Sequence, residues 1–173
     1  MLRIKHPIVF IALLFAACNS QAPQRPSQRT SRAPEPDSAA LALLTLNQQL
    51  AQSADEQLLQ LVQGLDEPYA LYEGGVWMRI INRGDETVPA PKPGEEHIVR
   101  MRVYTLNGQL LEDSEGSYRI QKHELPPAVD MHISELHAGG KARMYAPWYS
   151  AFGLKGTDHI PPYENVIIET ELR

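Results

Sequence analysis

Apolar residues recur at three- and four-residue steps early in the chain, at Leu43, Leu46, Leu50, Ala54, Leu58, Leu61 and Leu65. That spacing puts them on one face of a helix over residues 38–66, and Ser38 offers an N-capping hydroxyl. Beyond Pro68 the period changes. Val76 to Ile81, Ile98 to Tyr104, Lys141 to Ala146 and Val166 to Leu172 are rich in β-branched, aromatic and alternating apolar residues, the mark of strands. Val99, Met101 and Val103 alternate with Arg100 and Arg102, which gives that strand one buried and one wet face. Asn107-Gly108 then supplies a hairpin turn. One further helix interrupts the strands: Pro126-Pro127 suits its start, Val129, Ile133 and Leu136 share a face, and Gly139-Gly140 ends it. The pattern predicts an α+β domain, an antiparallel sheet with a short helix packed on it, preceded by an N-terminal amphipathic helix. That first helix either docks on its own domain or pairs with the same helix of a second copy.

The opening residues follow a different logic. Arg3 and Lys5 precede an unbroken apolar run from Ile8 to Ala17, and then come Cys18 and polar Asn19, Ser20 and Gln21. A membrane-spanning helix needs about 20 apolar residues, whereas the core of a signal peptide needs about 7 to 15. The run fits the second, so residues 1–17 read as a signal peptide. Leu14-Phe15-Ala16-Ala17-Cys18 resembles the lipobox of bacterial lipoproteins, which implies lipidation of Cys18 and anchoring to a membrane. Residues 18–37, with Pro23, Pro26, Pro34 and Pro36 among Ser, Gln and Arg, cannot bury enough apolar surface to offset ordering and read as a disordered tether. About 155 residues remain after the leader, enough for one domain with an accessory element.

Composition narrows the chemistry. A net charge of −5 argues against nucleic acid as a partner. A single cysteine allows no intramolecular disulfide, so the core must hold the fold. His132 and His137 are five apart and do not share a helix face as a zinc pair would; they read as surface residues, with no metal and no cofactor expected. Ser114 and Ser117 belong to no nucleophile motif, which leaves hydrolase chemistry without support. His159 reads as a solvent-facing loop residue, and Trp148 and Tyr149 either line a binding rim or pack beneath a loop.

From Gly94 to Leu172 the chain resembles the FKBP-type peptidyl-prolyl isomerases. Ala151-Phe152-Gly153 is similar to the family's Ala-Tyr-Gly, Ile160-Pro161-Pro162 to its Ile-Pro-Pro, and Val166 to Leu172 to its closing strand. The stretch APWYSAFGLKG, with Leu46-Asn47-Gln48 and the strand GGVWMRI, resembles the gliding-motility-associated lipoprotein branch of that family. The resemblance implies an FKBP-like domain over 69–173, a half-barrel sheet wrapped around a short helix with an apolar pocket between them. Rotation about a peptide bond costs about 18–20 kcal/mol because resonance is lost halfway, and the twisted amide is less polar than the planar one. A dry apolar pocket with a few donors can therefore favour it, with no covalent or acid–base residue.

Carried over by position, the resemblance implies a substrate pocket of Met101, Leu111, Leu125, Val129, Phe152 and Ile168, with Glu112 where the family usually has an aspartate. Val129 stands for a tryptophan floor, Met101 for a tyrosine, and Leu111 and Ile168 for phenylalanines. Phe152 lacks a tyrosine hydroxyl. Pro126 stands where a backbone N–H meets a ligand carbonyl, and proline has none to give. Two readings follow: a proline isomerase with an altered, weak site, or a binding or chaperone module of an envelope complex that kept the fold without the chemistry. The expected partners are proline-containing unfolded or envelope proteins, with the chain lipid-anchored at the periplasmic face of the outer membrane and a homodimer through the 38–66 helix as one arrangement.

Overall fold

The computed structural model describes residues 38–173, which form one unit. The signal-peptide and tether readings of 1–37, and lipidation of Cys18, lie outside the described residues. Helix α1 spans Ser38–Gln63. No Gly or Pro interrupts it, Gly64 follows its end, and Gly64 and Leu65 donate back to Leu61 and Val62 as the turn tightens. Then come β1 (Ala70–Tyr72), β2 (Val76–Asn82), β3 (Glu96–Thr105), β4 (Leu110–Arg119), α2 (Pro127–His132), β5 (Lys141–Ala146) and β6 (Val166–Leu172). The six strands make one antiparallel sheet in the order β1-β2-β5-β6-β3-β4.

The period-2 alternation sorts side chains cleanly between the two faces. On the inner face Val76 and Met78, Val99, Met101 and Val103, Ala142 and Met144, and Val166, Ile168 and Leu172 meet Ala128, Val129, Ile133 and Leu136 of α2 and the turn after it. All three expected core residues of that helix are fully buried, although α2 itself stops at His132 and a 3-10 turn, Ile133–Glu135, carries the chain on. On the outer face, Leu58 and Val62 of α1 pack on Tyr145 and Ile167, with Tyr69, Trp77 and Tyr104 around them. The uncovered part of that face is charged. Arg100 pairs with Asp113, Arg102 and Arg143 with Glu169, and Lys141 with Glu171.

Two expectations need correction. The expected leucine stripe is fully buried only at Ala54 and Leu58, with Leu50 and Leu61 half-buried; Leu43 and Leu46 are exposed because the helix runs past the sheet, and Leu65 is exposed because α1 ends at Gln63 rather than at 66. His132 is buried rather than on the surface: its Nε2 lies 3.0 Å from the Glu73 carbonyl and its ring meets Tyr72 edge-on.

Candidate functional site

β3 and β6 bring Met101 and Ile168 to the inner face, and α2 sets Val129 against them with Leu125 just ahead of the helix. Leu111 and Phe152 pack on the same cluster and stay partly accessible. Six of the seven positions the resemblance implied are thus in one place. Glu112 is on β4 directly opposite Val103 and pairs with no other described residue. Met101, Leu125, Val129 and Ile168 are each no more than 5% exposed, so the aliphatic replacements fill the inner face and only the rim at Leu111 and Phe152 meets solvent. A tryptophan could not enter at Val129 without displacing this packing.

Met101 has polar neighbours that sequence reasoning missed. Ser114 and Thr170 lie directly across from it on β4 and β6. Both hydroxyl oxygens are buried and neither has a hydrogen-bond partner.

The entry to α2 is built by an acid that sequence reasoning also passed over. Asp130 is buried, and its carboxylate accepts the backbone N–H groups of Gln121 at 2.7 Å and His123 at 3.1 Å. Both donors have left-handed backbone, φ 56° and 60°, which non-glycine residues rarely adopt. Glu124 adds a second clasp by accepting the Arg119 backbone N–H at 2.8 Å and its Nε at 2.7 Å, and these bonds hold its carboxyl below the usual range. The loop delivers Leu125 and Pro126. Pro126 caps α2 with its carbonyl, which accepts from Val129 and Asp130, and it has no donor for a ligand.

Phe152 is carried by a second segment. Trp148–Ser150 forms a 3-10 turn, and the Trp148 carbonyl accepts from Ala151 at 3.2 Å and Gly153 at 2.7 Å, the two residues flanking Phe152. Gly153 has φ 70°, a conformation the Ala-Phe-Gly motif needs and glycine supplies. Trp148 is buried against Tyr163 rather than exposed at a rim, Tyr149 is half-buried, and His159 is exposed as expected. Among the described residues no three His, Cys, Asp or Glu side chains gather as metal ligands would.

An antiparallel sheet closed over a short helix, with its order β1-β2-β5-β6-β3-β4, matches several solved structures. FkpA from Escherichia coli superposes with a TM-score of 0.60 at 18% identity, over 78% of this chain and 63% of that one. A peptidyl-prolyl cis-trans isomerase from Pseudomonas syringae matches at 0.57 and 20%, over 70% of this chain and 92% of that one. The fold is FKBP-like. The N-terminal domain of FKBP42 from Arabidopsis thaliana agrees at 0.53 and 20%, over 62% of this chain and 91% of that domain. The chain spans 63% of the length of FkpA. No family model matches the chain and no curated protein matches it in sequence. On an FKBP-like fold the cluster around α2 occupies the inner face, where the resemblance had placed the pocket.

Proposed function

We propose that this chain is a peptidyl-prolyl cis-trans isomerase that assists folding of cell-envelope proteins through an altered site. The observation that carries the reading is the convergence of Met101, Leu111, Leu125, Val129, Phe152 and Ile168 on one apolar cluster beneath an FKBP-like sheet. A proline ring would enter at the rim between Phe152 and Leu111, with the flexible Met101 thioether making room. The apolar surroundings favour the twisted amide by withholding the solvation that the planar amide prefers. With Pro126 unable to donate, peptide positioning is weak and turnover low.

A second reading keeps the fold as a binding or chaperone module, and the dense packing at Met101, Val129 and Ile168 favours it. The two separate on a panel of X-Pro peptides assayed for cis-to-trans exchange. Acceleration by the natural chain supports the isomerase. Acceleration only after Pro126→Ala, which restores the N–H at a φ of −54° that alanine accepts, supports the binder. If neither chain accelerates exchange, the isomerase reading falls.

The same reading places the chain in the envelope, tethered through lipid on Cys18 at the periplasmic face of the outer membrane. The likeness of its APWYSAFGLKG stretch to the gliding-motility branch supports a role in a gliding or secretion complex. No helix among the described residues is long and apolar enough to cross a membrane. For the exposed leucines in the first half of α1 the proposed partner is a second copy. Leu41, Leu43, Leu44 and Leu46 are 48–61% exposed, and residues 38–54 carry no charge that would oppose self-pairing. Light scattering that gives a monomer for the chain, unchanged by Leu43→Gln with Leu46→Gln, would remove that arrangement.

A further inference from the structure

We propose that α1 belongs to the candidate site: its residues Asp55 and Gln57 act as positioning residues that fix the Trp148–Gly153 segment carrying Phe152. The link is a chain of hydrogen bonds from helix to rim. Gln57 Oε1 accepts from Asn165 Nδ2 at 2.8 Å. Asn165 Oδ1 accepts the Trp148 backbone N–H at 2.9 Å. The carbonyl of Trp148 then accepts from the N–H groups of Ala151 and Gly153 on either side of Phe152. Asn165 and Trp148 are buried, so the bond between them acts where water competes poorly, while Gln57 faces solvent and holds Asn165 from the surface through a part-buried bond.

A second attachment runs beside the first. The Tyr149 hydroxyl donates to Asp55 in α1, and Ser150 donates to the Gly74 carbonyl in the turn between β1 and β2. Gly75 makes room for this joint: a Cβ there would collide with the Tyr149 hydroxyl and come within 3.0 Å of Asp55 Oδ1. Below these polar contacts Leu58 and Val62 seat the helix on the outer face of the sheet. The helix thus holds the rim from the side opposite the inner core. Its catalytic consequence rests on the isomerase reading; the mechanical one does not.

The test uses the full chain, purified in detergent. Gln57→Leu, alone and with Asp55→Ala, removes the acceptors, and Gln57→Glu keeps one. Amide hydrogen exchange is followed in peptides covering 149–154, with β3 and β6 as internal references, beside cis-to-trans turnover of a proline peptide. The double variant is expected to exchange about tenfold faster at 149–154 with the two strands unchanged, the effect of losing one part-buried and one exposed hydrogen bond, together worth about 1.4 kcal/mol locally. Gln57→Glu is expected to return exchange toward the natural rate. In an active chain kcat falls with the loosening of the segment and recovers with Gln57→Glu, while the global unfolding midpoint does not account for the loss. Unchanged exchange at 149–154 in the double variant overturns the inference, as does faster exchange with full turnover. If the natural chain is inactive, the isomerase reading fails and the exchange result alone decides whether α1 holds the rim.

Discussion

Asp130→Ala is the sharpest perturbation of the entry to α2. In the native chain one buried carboxylate accepts two backbone N–H groups, from Gln121 and His123, at 2.7 and 3.1 Å. Each buried donor left without an acceptor costs about 1–3 kcal/mol. Part of this is recovered because the side chains of Gln121 and His123 face solvent and water can reach the opened loop. A further part returns when the two left-handed residues relax, since that conformation costs about 1–2 kcal/mol for a non-glycine residue. The balance is a loss of about 1–2 kcal/mol, read as a lower denaturation midpoint with an unchanged slope. Gln121→Gly is the companion variant. It removes the conformational cost at φ 56° while leaving the N–H in place, so it is neutral or stabilises by up to about 1 kcal/mol in the native background. Exchange at residues 121–124 should rise in Asp130→Ala well before that of the strands. A loss under about 1 kcal/mol with the loop amides still protected would refute the claim that this carboxylate holds the loop.

Three further outcomes follow from the packing. Leu58→Ala empties a fully buried site between α1 and the sheet and should cost about 2–5 kcal/mol, measured by equilibrium unfolding; a cost near zero would mean that the helix is not docked in solution. Thr170→Val replaces a buried hydroxyl that has no partner and should stabilise by about 1 kcal/mol, and a marked loss would reveal a bond to water or backbone. Burial, and then the bond to Asp55, raises the Tyr149 phenol above its ordinary 10.0. The unfolded chain therefore ionises first, so the contribution of Tyr149 is complete below pH about 10 and declines as pH rises above it. Comparing urea midpoints between pH 9 and 11.5, the advantage of the native chain over Tyr149→Phe should shrink; an advantage constant across that range contradicts the assignment.

Much of the architecture was legible in the sequence because periodicity is local. α1, four of the strands and the helical face of Val129, Ile133 and Leu136 all follow from spacing alone. β4 was harder to read as a strand, since LLEDSEGSYR lies at the sheet edge, where charges blunt the open backbone instead of marking a buried face. A leucine stripe also does not say how far its partner extends. Only Ala54 to Val62 find the sheet, and the earlier leucines look the same in sequence. The apolar cluster on the inner face was legible as a set of positions, but the polar contacts around it were not. Asp130 holds backbone amides, which carry no sequence signature, and Gln57 meets Asn165 across 108 residues. One signal was available: Asp130 is the only acid inside α2 and lies beside core residue Val129, an odd place for an unpaired carboxylate.

The inner face contains its own argument about what this fold retains. Where the resemblance implies aromatic walls the chain has aliphatic residues, and of these Met101, Val129 and Ile168 are buried with the core while Leu111 stays at the rim. If packing were all that governed these positions, the row across the sheet at Met101 would be apolar throughout, because a hydroxyl buried without a partner is worse than a methyl group of the same size. Instead Ser114 and Thr170 flank Met101 from the neighbouring strands with unpartnered oxygens. Local departures from good packing gather where a protein does something besides fold. Under the proposed isomerase reading these hydroxyls would be open to a ligand carbonyl, and a Thr170→Val variant that is stabilised with X-Pro turnover unchanged would leave them as packing defects alone.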